Sequence, residues 1–305
     1  MIYQFFFLIL SLIIIFFGAK WTLESAEKIG LYFNLPALLI GILIIGFGTS
    51  LPEFFVCHLA VWDGREGIAL GNILGSNIAN IYFIMGLVGI LSPLYFDKKI
   101  HSQLFWHLGS TVLLILVILR KKLDIYAFFI FSVFFAIYLY RIFQSEKQQE
   151  KENGSIKFMD IIKLILGFIS LYGGGKLLVS SGGRLAELMD ISEYVVSAIF
   201  VALGTSFPEL ATALLAWRKK KNLDLIIGNI IGSNIFNVLF VLASLGFYKI
   251  SIPQNYFSEQ ILLLFAALVL IYISFRKKVF FRMAGSLFFC LYCLMIYMWT
   301  AKLSF

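Results

Sequence analysis

Residues 48–53 read GTSLPE and residues 204–209 read GTSFPE; further along, GNILGSNIAN at 71–80 is answered by GNIIGSNIFN at 228–237. The first pair is offset by 156 residues and the second by 157, so the matches keep their order and nearly keep their spacing. An internal duplication accounts for this and chance does not. Both motifs lie in long apolar runs, which makes the setting of the duplication a membrane.

Composition says the same. Of the 305 residues 61% are hydrophobic, 17% aromatic and only 14% charged, where a soluble chain would carry roughly a quarter charged. Ten candidate helices run over residues 2–19, 35–62, 67–93, 101–119, 123–143, 159–179, 192–217, 223–247, 256–275 and 279–299. At ~20 apolar residues per crossing the length is used up by these spans and their connections. The runs are continuously apolar and lack the alternation of barrel strands. The expected fold is therefore an all-α polytopic membrane protein, with a first five-helix repeat at 1–143, a short polar linker at 144–157 (QSEKQQEKENGSIK from Gln144) and a second repeat at 158–305. No Lys or Arg precedes the apolar stretch from Ile2 to Gly18, so it reads as a first span rather than a signal peptide.

An odd number of spans per half makes the second half enter the membrane in the opposite sense. Inverted repeats of this kind are a recurrent plan of secondary transporters, with the site at the repeat interface near the bilayer midplane. The net charge of +8 lies in short basic clusters between spans, which fits membrane topology rather than nucleic-acid binding. Placing the N-terminus outside puts eight of the 25 Lys and Arg on the outer side and seventeen on the inner side. The expected orientation has both termini extracytoplasmic and the linker cytoplasmic, in a plasma or cell inner membrane.

Among the seventeen acidic residues, Glu53 and Glu209 alone lie well inside apolar spans, and each belongs to the repeated motif. A carboxylate at membrane depth is costly and reads as functional. Thr49 and Thr205 precede these acids by four residues and Ser50 and Ser206 by three, which places them on the same face if the helix continues. Pro52 and Pro208 remove amide donors, and Gly48 and Gly204 loosen the same turn, freeing carbonyls such as that of Ala202. In the second motif Ser76 and Asn80 share a helical face, as do Ser233 and Asn237. Carboxylates with neutral oxygens suit calcium, which takes six to eight oxygen ligands; softer metals would want Cys or His. The Gly and Ser of GNILGSN and GNIIGSN also permit close helix packing, a plainer alternative that bears more on Asn77 and Asn234 than on Asn80 and Asn237.

With these residues in view, the chain resembles the cation/calcium antiporter superfamily, and within it the sodium/calcium exchangers, whose alpha-repeat motifs both halves carry. The resemblance implies Glu53, Glu209, Thr49 and Thr205 as calcium ligands. It implies Ser50, Ser76, Asn80, Ala202, Thr205, Ser206, Ser233 and Asn237, with both glutamates, as sodium ligands. It further implies antiport of sodium against calcium by alternating access, with no cofactor, no enzymatic chemistry and no protein or nucleic-acid partner beyond the bilayer and the transported ions. GTS before each Glu resembles sodium-coupled members, where proton-coupled ones carry a GNA-type motif. Asn at 237, where potassium-dependent exchangers have Asp, implies potassium independence.

The rivals are a calcium/proton antiporter of the same fold, a cation channel and an intramembrane acid–base enzyme. Neither His nor Lys accompanies the two acids, which weighs against the last. His58, five residues past Glu53, is expected to pack, and Cys290 and Cys293 have no neighbouring ligands for a metal site.

Overall fold

A computed structural model of the chain describes residues 2–32, 49–96, 98–145, 156–218, 224–252, 256–276 and 279–301. Helix α1 spans Ile2–Tyr32, α2 Leu51–Trp62, α3 Glu66–Leu91, α4 Lys98–Leu119, α5 Ile125–Ser145 and α6 Phe158–Met189. A bent pair follows, α7 at Glu193–Thr205 and α8 at Phe207–Arg218. Helix α9 starts as Asp224–Phe236 and runs on through Asn237–Leu242 and Ala243–Leu245; α10 is Phe257–Arg276 and α11 Arg282–Thr300. Among the described residues eight helices are long and apolar enough to cross a membrane, and the bent pair makes a ninth. The expected start of the second helix, 35–48, lies outside the described residues.

Two helices outrun their expected ends. The first continues from residue 19 to Tyr32 because Lys20 and Glu24 form an i,i+4 pair at 3.9 Å and Lys28 reaches Asp160 on α6 at 2.6 Å; charge there marks the edge of the bilayer, not the end of the helix. The sixth continues from 179 to Met189, supported by Arg184–Glu187 at 2.6 Å, and stops at Asp190, which turns left-handed. The expected helix over 192–217 is instead broken at Ser206, where α7 and α8 meet at 42°. Pro208 near the start of α8 lacks the amide a continuous helix would need.

Two short antiparallel ribbons were not foreseen. Strand β1 (Leu94–Tyr95) pairs with β4 (Val279–Phe280), and β2 (Lys122–Leu123) pairs with β3 (Ile250–Ser251). Moving β1 on by 156 residues gives β3, and moving β2 on by 157 gives β4. The partner registers map too, since Leu94↔Phe280 becomes Ile250↔Leu123 and Tyr95↔Val279 becomes Ser251↔Lys122. Each ribbon thus joins one half to the other, and the duplication read in the sequence is repeated in backbone pairing.

The ends of the helices also meet as alternate crossings require. Arg65, in the α2–α3 turn, pairs with Glu193 at the start of α7 and lies 3.8 Å from Glu187 at the end of α6. Lys28 and Asp160 meet at the opposite ends of α1 and α6. Near the Arg65 end, Glu259 at the head of α10 is buried and accepts from Tyr194 of α7 and Trp299 of α11, both at 2.8 Å.

The centre of the bundle is α3 and α9, whose apolar windows are 83% and 78% buried, against 22–39% for the other long helices. Both widen into a π-helical stretch, Ala79–Met85 in α3 and Asn237–Leu242 in α9, a distortion frequent at functional sites. In lipid there is little hydrophobic drive between helices, so small residues that allow close approach carry the association. Gly71 and Gly75 do this where α3 meets α7: a Cβ on Gly75 would sit 2.7 Å from the Ala198 backbone.

Candidate functional site

Four segments converge between the halves: the starts of α2 and α8 with the residues just before them, and the middles of α3 and α9. Ser50 (φ −89°, ψ 4°) and Ser206 (φ −81°, ψ 7°) have almost the same off-helix backbone, the break that precedes each carboxylate. Glu53 and Glu209 are each 0% exposed, and they interact electrostatically with one another. Thr49, Ser50, Ser76, Asn80, Ala202, Thr205, Ser206, Ser233 and Asn237 are all buried, so the described structure brings every expected site residue into this region.

Their partners differ from the same-helix expectation. Because the helix breaks between threonine and glutamate, each threonine turns to the other half. Thr205 lies beside Glu53 together with Ser76 and Ser206, while Thr49 and Ser233 lie beside Glu209. Ser76 Oγ donates to Glu53 Oε1 at 3.3 Å and Ser206 Oγ to the same oxygen at 3.4 Å. The Ser76–Thr205 hydroxyl contact of 3.3 Å has its repeat counterpart in Ser233–Thr49 at 3.2 Å. The Ala202 carbonyl, expected to be freed, instead accepts the Ser206 amide at 3.0 Å; it also lies 3.4 Å from Ser76 Oγ and 3.3 Å from Thr205 Oγ1.

A second layer consists of amides. Asn80 Nδ2 donates to Asn234 Oδ1 at 3.0 Å, and its counterpart Asn237 Nδ2 donates to Asn77 Oδ1 at 3.3 Å. Asn77 and Asn234, for which the sequence offers packing only as an alternative, therefore hold the amino ends of Asn80 and Asn237. Asn72 holds Thr205 through Oδ1 at 2.9 Å and Cys57 Sγ through Nδ2 at 3.3 Å. His107 of α4, 3.5 Å from Asn234 Nδ2, was missed; the signal was available, since it is an ionisable residue inside an apolar span.

The chemistry follows from what is left over. Ten buried side-chain N or O atoms among the described residues have no hydrogen-bond partner, and six of them are oxygens of site residues: Ser50 Oγ, Glu53 Oε2, Asn80 Oδ1, both carboxylate oxygens of Glu209, and Asn237 Oδ1. A buried oxygen without a donor forfeits ~1–3 kcal/mol, and more if charged. Two carboxylates out of water cost several kcal/mol each unless a counter-charge attends them. A set made only of oxygens, with two carboxylates among them, matches what a hard cation takes. His58 is occupied with packing, its Nδ1 3.0 Å from the Phe54 carbonyl and its ring 4.1 Å from that of Phe54. Cys290 and Cys293 are free and exposed on α11.

Comparison with known proteins supplies the family. The family model described as sodium/calcium exchanger protein matches residues 3–144 and again 160–301, one match per half. An uncharacterized membrane protein of Methanocaldococcus jannaschii is 32% identical over 299 residues, covering 94% of this chain and 95% of that protein. The sodium/calcium exchanger MaX1 of Methanosarcina acetivorans is 26% identical over 320 residues, covering 89% of this chain and 91% of its own. The structure of the sodium-calcium exchanger NCX_Mj soaked with 10 mM Na+ and zero Ca2+ superposes with a TM-score of 0.69 at 28% identity, covering 97% of this chain and 98% of that one. Duplicated motifs, a carboxylate-centred oxygen site between two halves and a family match over both of them place this multi-pass membrane chain in the sodium/calcium exchanger family.

Proposed function

We propose that the chain is a secondary antiporter that exchanges sodium for calcium at the site between α2, α3, α7, α8 and α9, exposing that site alternately to the two sides of the membrane. The observation that carries this reading is the set of six partnerless oxygens, two carboxylates included, contributed by both halves. The names of the exchangers MaX1 and NCX_Mj support sodium and calcium as the ions. Glu53, Glu209, Thr49 and Thr205 would serve calcium; Ser50, Ser76, Asn80, the Ala202 carbonyl, Thr205, Ser206, Ser233 and Asn237, with the same glutamates, would serve sodium.

In this reading the chain crosses the membrane ten times, as inverted five-helix repeats at 1–143 and 158–305 joined by a cytoplasmic linker at 144–157. The ribbons and end-to-end ion pairs support alternate crossings, and the seventeen-to-eight excess of Lys and Arg supports both termini outside, in a cell inner or plasma membrane. Two ionised carboxylates balance one calcium. If three sodium ions replace it, as the family resemblance implies, the loaded site carries one net positive charge, and each 100 mV of membrane potential contributes about 2.3 kcal/mol per cycle.

The test is calcium uptake by vesicles containing the purified protein. An outward sodium gradient should drive calcium inward, and collapsing that gradient should stop it. Uptake driven by a proton gradient alone would favour the proton-coupled reading; calcium current without any counter-ion would favour a channel.

A further inference from the structure

His107 sits midway along α4, 2% exposed, with no contact to a carboxylate or hydroxyl of the ion site among its hydrogen bonds. Its bonds nonetheless define a direction. The Thr111 hydroxyl gives its hydrogen to the His107 carbonyl at 2.8 Å, so the Thr111 oxygen, 3.4 Å from Nδ1, accepts from that ring nitrogen. The proton of the neutral ring is thereby on Nδ1, and Nε2 is an acceptor. It faces Asn234 Nδ2 at 3.5 Å, and the same Nδ2 donates to the Asn77 carbonyl at 3.0 Å. With both amide hydrogens of Asn234 used, its Oδ1 is the end that meets Asn80, accepting from Nδ2 at 3.0 Å. Asn80 is then left with Oδ1 as its partnerless end.

A carboxamide is nearly symmetric in shape but opposite in polarity at its two ends. Two outside acceptors set the sense of the Asn80–Asn234 pair, the Asn77 carbonyl at 3.0 Å and His107 Nε2 at 3.5 Å, and in the reverse sense Asn80 would turn an NH2 group toward a cation. The other half has no matching device, since the positions 156 and 157 residues beyond His107 are Leu263 and Leu264. We propose that His107 is a positioning residue for ion binding: by accepting the second amide hydrogen of Asn234, beside the Asn77 carbonyl, it holds the polarity of the Asn234–Asn80 pair, so that Asn80 presents a carbonyl oxygen to sodium. This rests on Asn80 being a sodium ligand.

The experiment compares two polar substitutions of similar size in the full-length protein in vesicles. Gln can place an oxygen near the position of Nε2, whereas Asn reaches only the position of Nδ1. H107Q should keep half-saturating sodium within about twofold of wild type, whereas H107N should raise it about three- to tenfold, the loss of roughly one hydrogen bond. Half-saturating calcium should move less than twofold in both. The same shift in H107Q and H107N, or none in either, overturns the proposal. If H107N does not assemble, T111V serves instead: it removes the acceptor that keeps the proton on Nδ1, and unchanged sodium dependence there overturns the proposal equally. N80A separates the two levels of inference. If N80A leaves sodium dependence unchanged, the ligand assignment fails; if N80A impairs it and H107N does not, the assignment stands and the role of His107 falls.

Discussion

Replacing Gly75 by Ala adds one methyl group at the place where α3 and α7 are closest. That carbon would lie 2.7 Å from Ala198 Cα, 2.7 Å from Ala198 O and 2.7 Å from Ala202 Cβ. Ordinary contacts between such atoms fall at about 3.5–4.0 Å, so α7 must retreat by about 1 Å. Two of the three obstructing atoms are backbone, which leaves no side-chain rotation to relieve the overlap. Overpacking of this kind costs ~1–3 kcal/mol of stability. The functional loss should be larger than that suggests, because Ser76 is the next residue and its contacts to Ala202 O and Thr205 across the same interface are already 3.4 and 3.3 Å long. A shift of about 1 Å breaks both, since hydrogen bonding is negligible by ~3.6 Å. Sodium-driven calcium uptake in vesicles should fall at least about tenfold, the equivalent of 1.4 kcal/mol, while the protein still purifies as a folded species. Gly173 on the exposed face of α6, where a Cβ would meet nothing within 4 Å, is the control; G173A should leave uptake unchanged. Wild-type uptake by G75A would refute the claim that the α3–α7 spacing sets the site.

Four further outcomes follow from the same geometry. E53Q and E209Q should each nearly abolish calcium uptake without loss of folded protein, because the remaining single charge cannot balance a divalent ion; near wild-type uptake by either would remove the two-carboxylate site. A Cys introduced at Gly154 should react with an impermeant thiol reagent only from the cytoplasmic side, and labelling from outside would reverse the orientation. Exchange by the wild type should be unaffected when choline replaces potassium on both sides, and N237D should introduce pH sensitivity, since a new acid at membrane depth needs a proton or an extra cation; a potassium requirement in the wild type would overturn this. At the edge of the membrane, burial pushes the Asp124 carboxyl up, but the Ala127 amide, Arg120 and Lys122 outweigh it and hold the group below its ordinary value. A depressed carboxylate stabilises the fold above its ordinary pKa and loses that contribution as pH falls through the folded value, so between pH ~5 and ~3 the wild type should lose more thermal stability than D124N; parallel melting curves would count against the pairing.

Much of the site was legible because it was written twice. A single intramembrane glutamate invites several explanations, but two in matching motifs at nearly one offset define both the chemistry and the symmetry. What the sequence could not carry was the cross-over between halves. Spacing of four residues argues for Thr49 with Glu53 only along an unbroken helix, and the breaks at Ser50 and Ser206 send each threonine to the opposite carboxylate. The two-residue ribbons were invisible for a related reason, being too short to show any alternation, although the register they adopt repeats the duplication.

The amide layer shows where pattern reasoning stops and three-dimensional accounting takes over. From spacing, Asn77 and Asn234 sit off the face shared by the serines and outer asparagines, and spacing alone names no partner for them. In the folded chain their oxygens take the amino ends of Asn237 and Asn80, and that is why the oxygens of the outer pair remain partnerless. A ligand's polarity is thus decided by a neighbour that need not touch the ion. The duplicated motif reproduces this pairing in both halves, yet only Asn234 is backed by a histidine. The asymmetry lies outside the motif, on α4, where a reading confined to repeated residues has nothing to compare it with. Two halves with like cages and unlike supports need not bind equally tightly, and an antiporter whose single site must bind and release ions on both sides has a physical use for that difference.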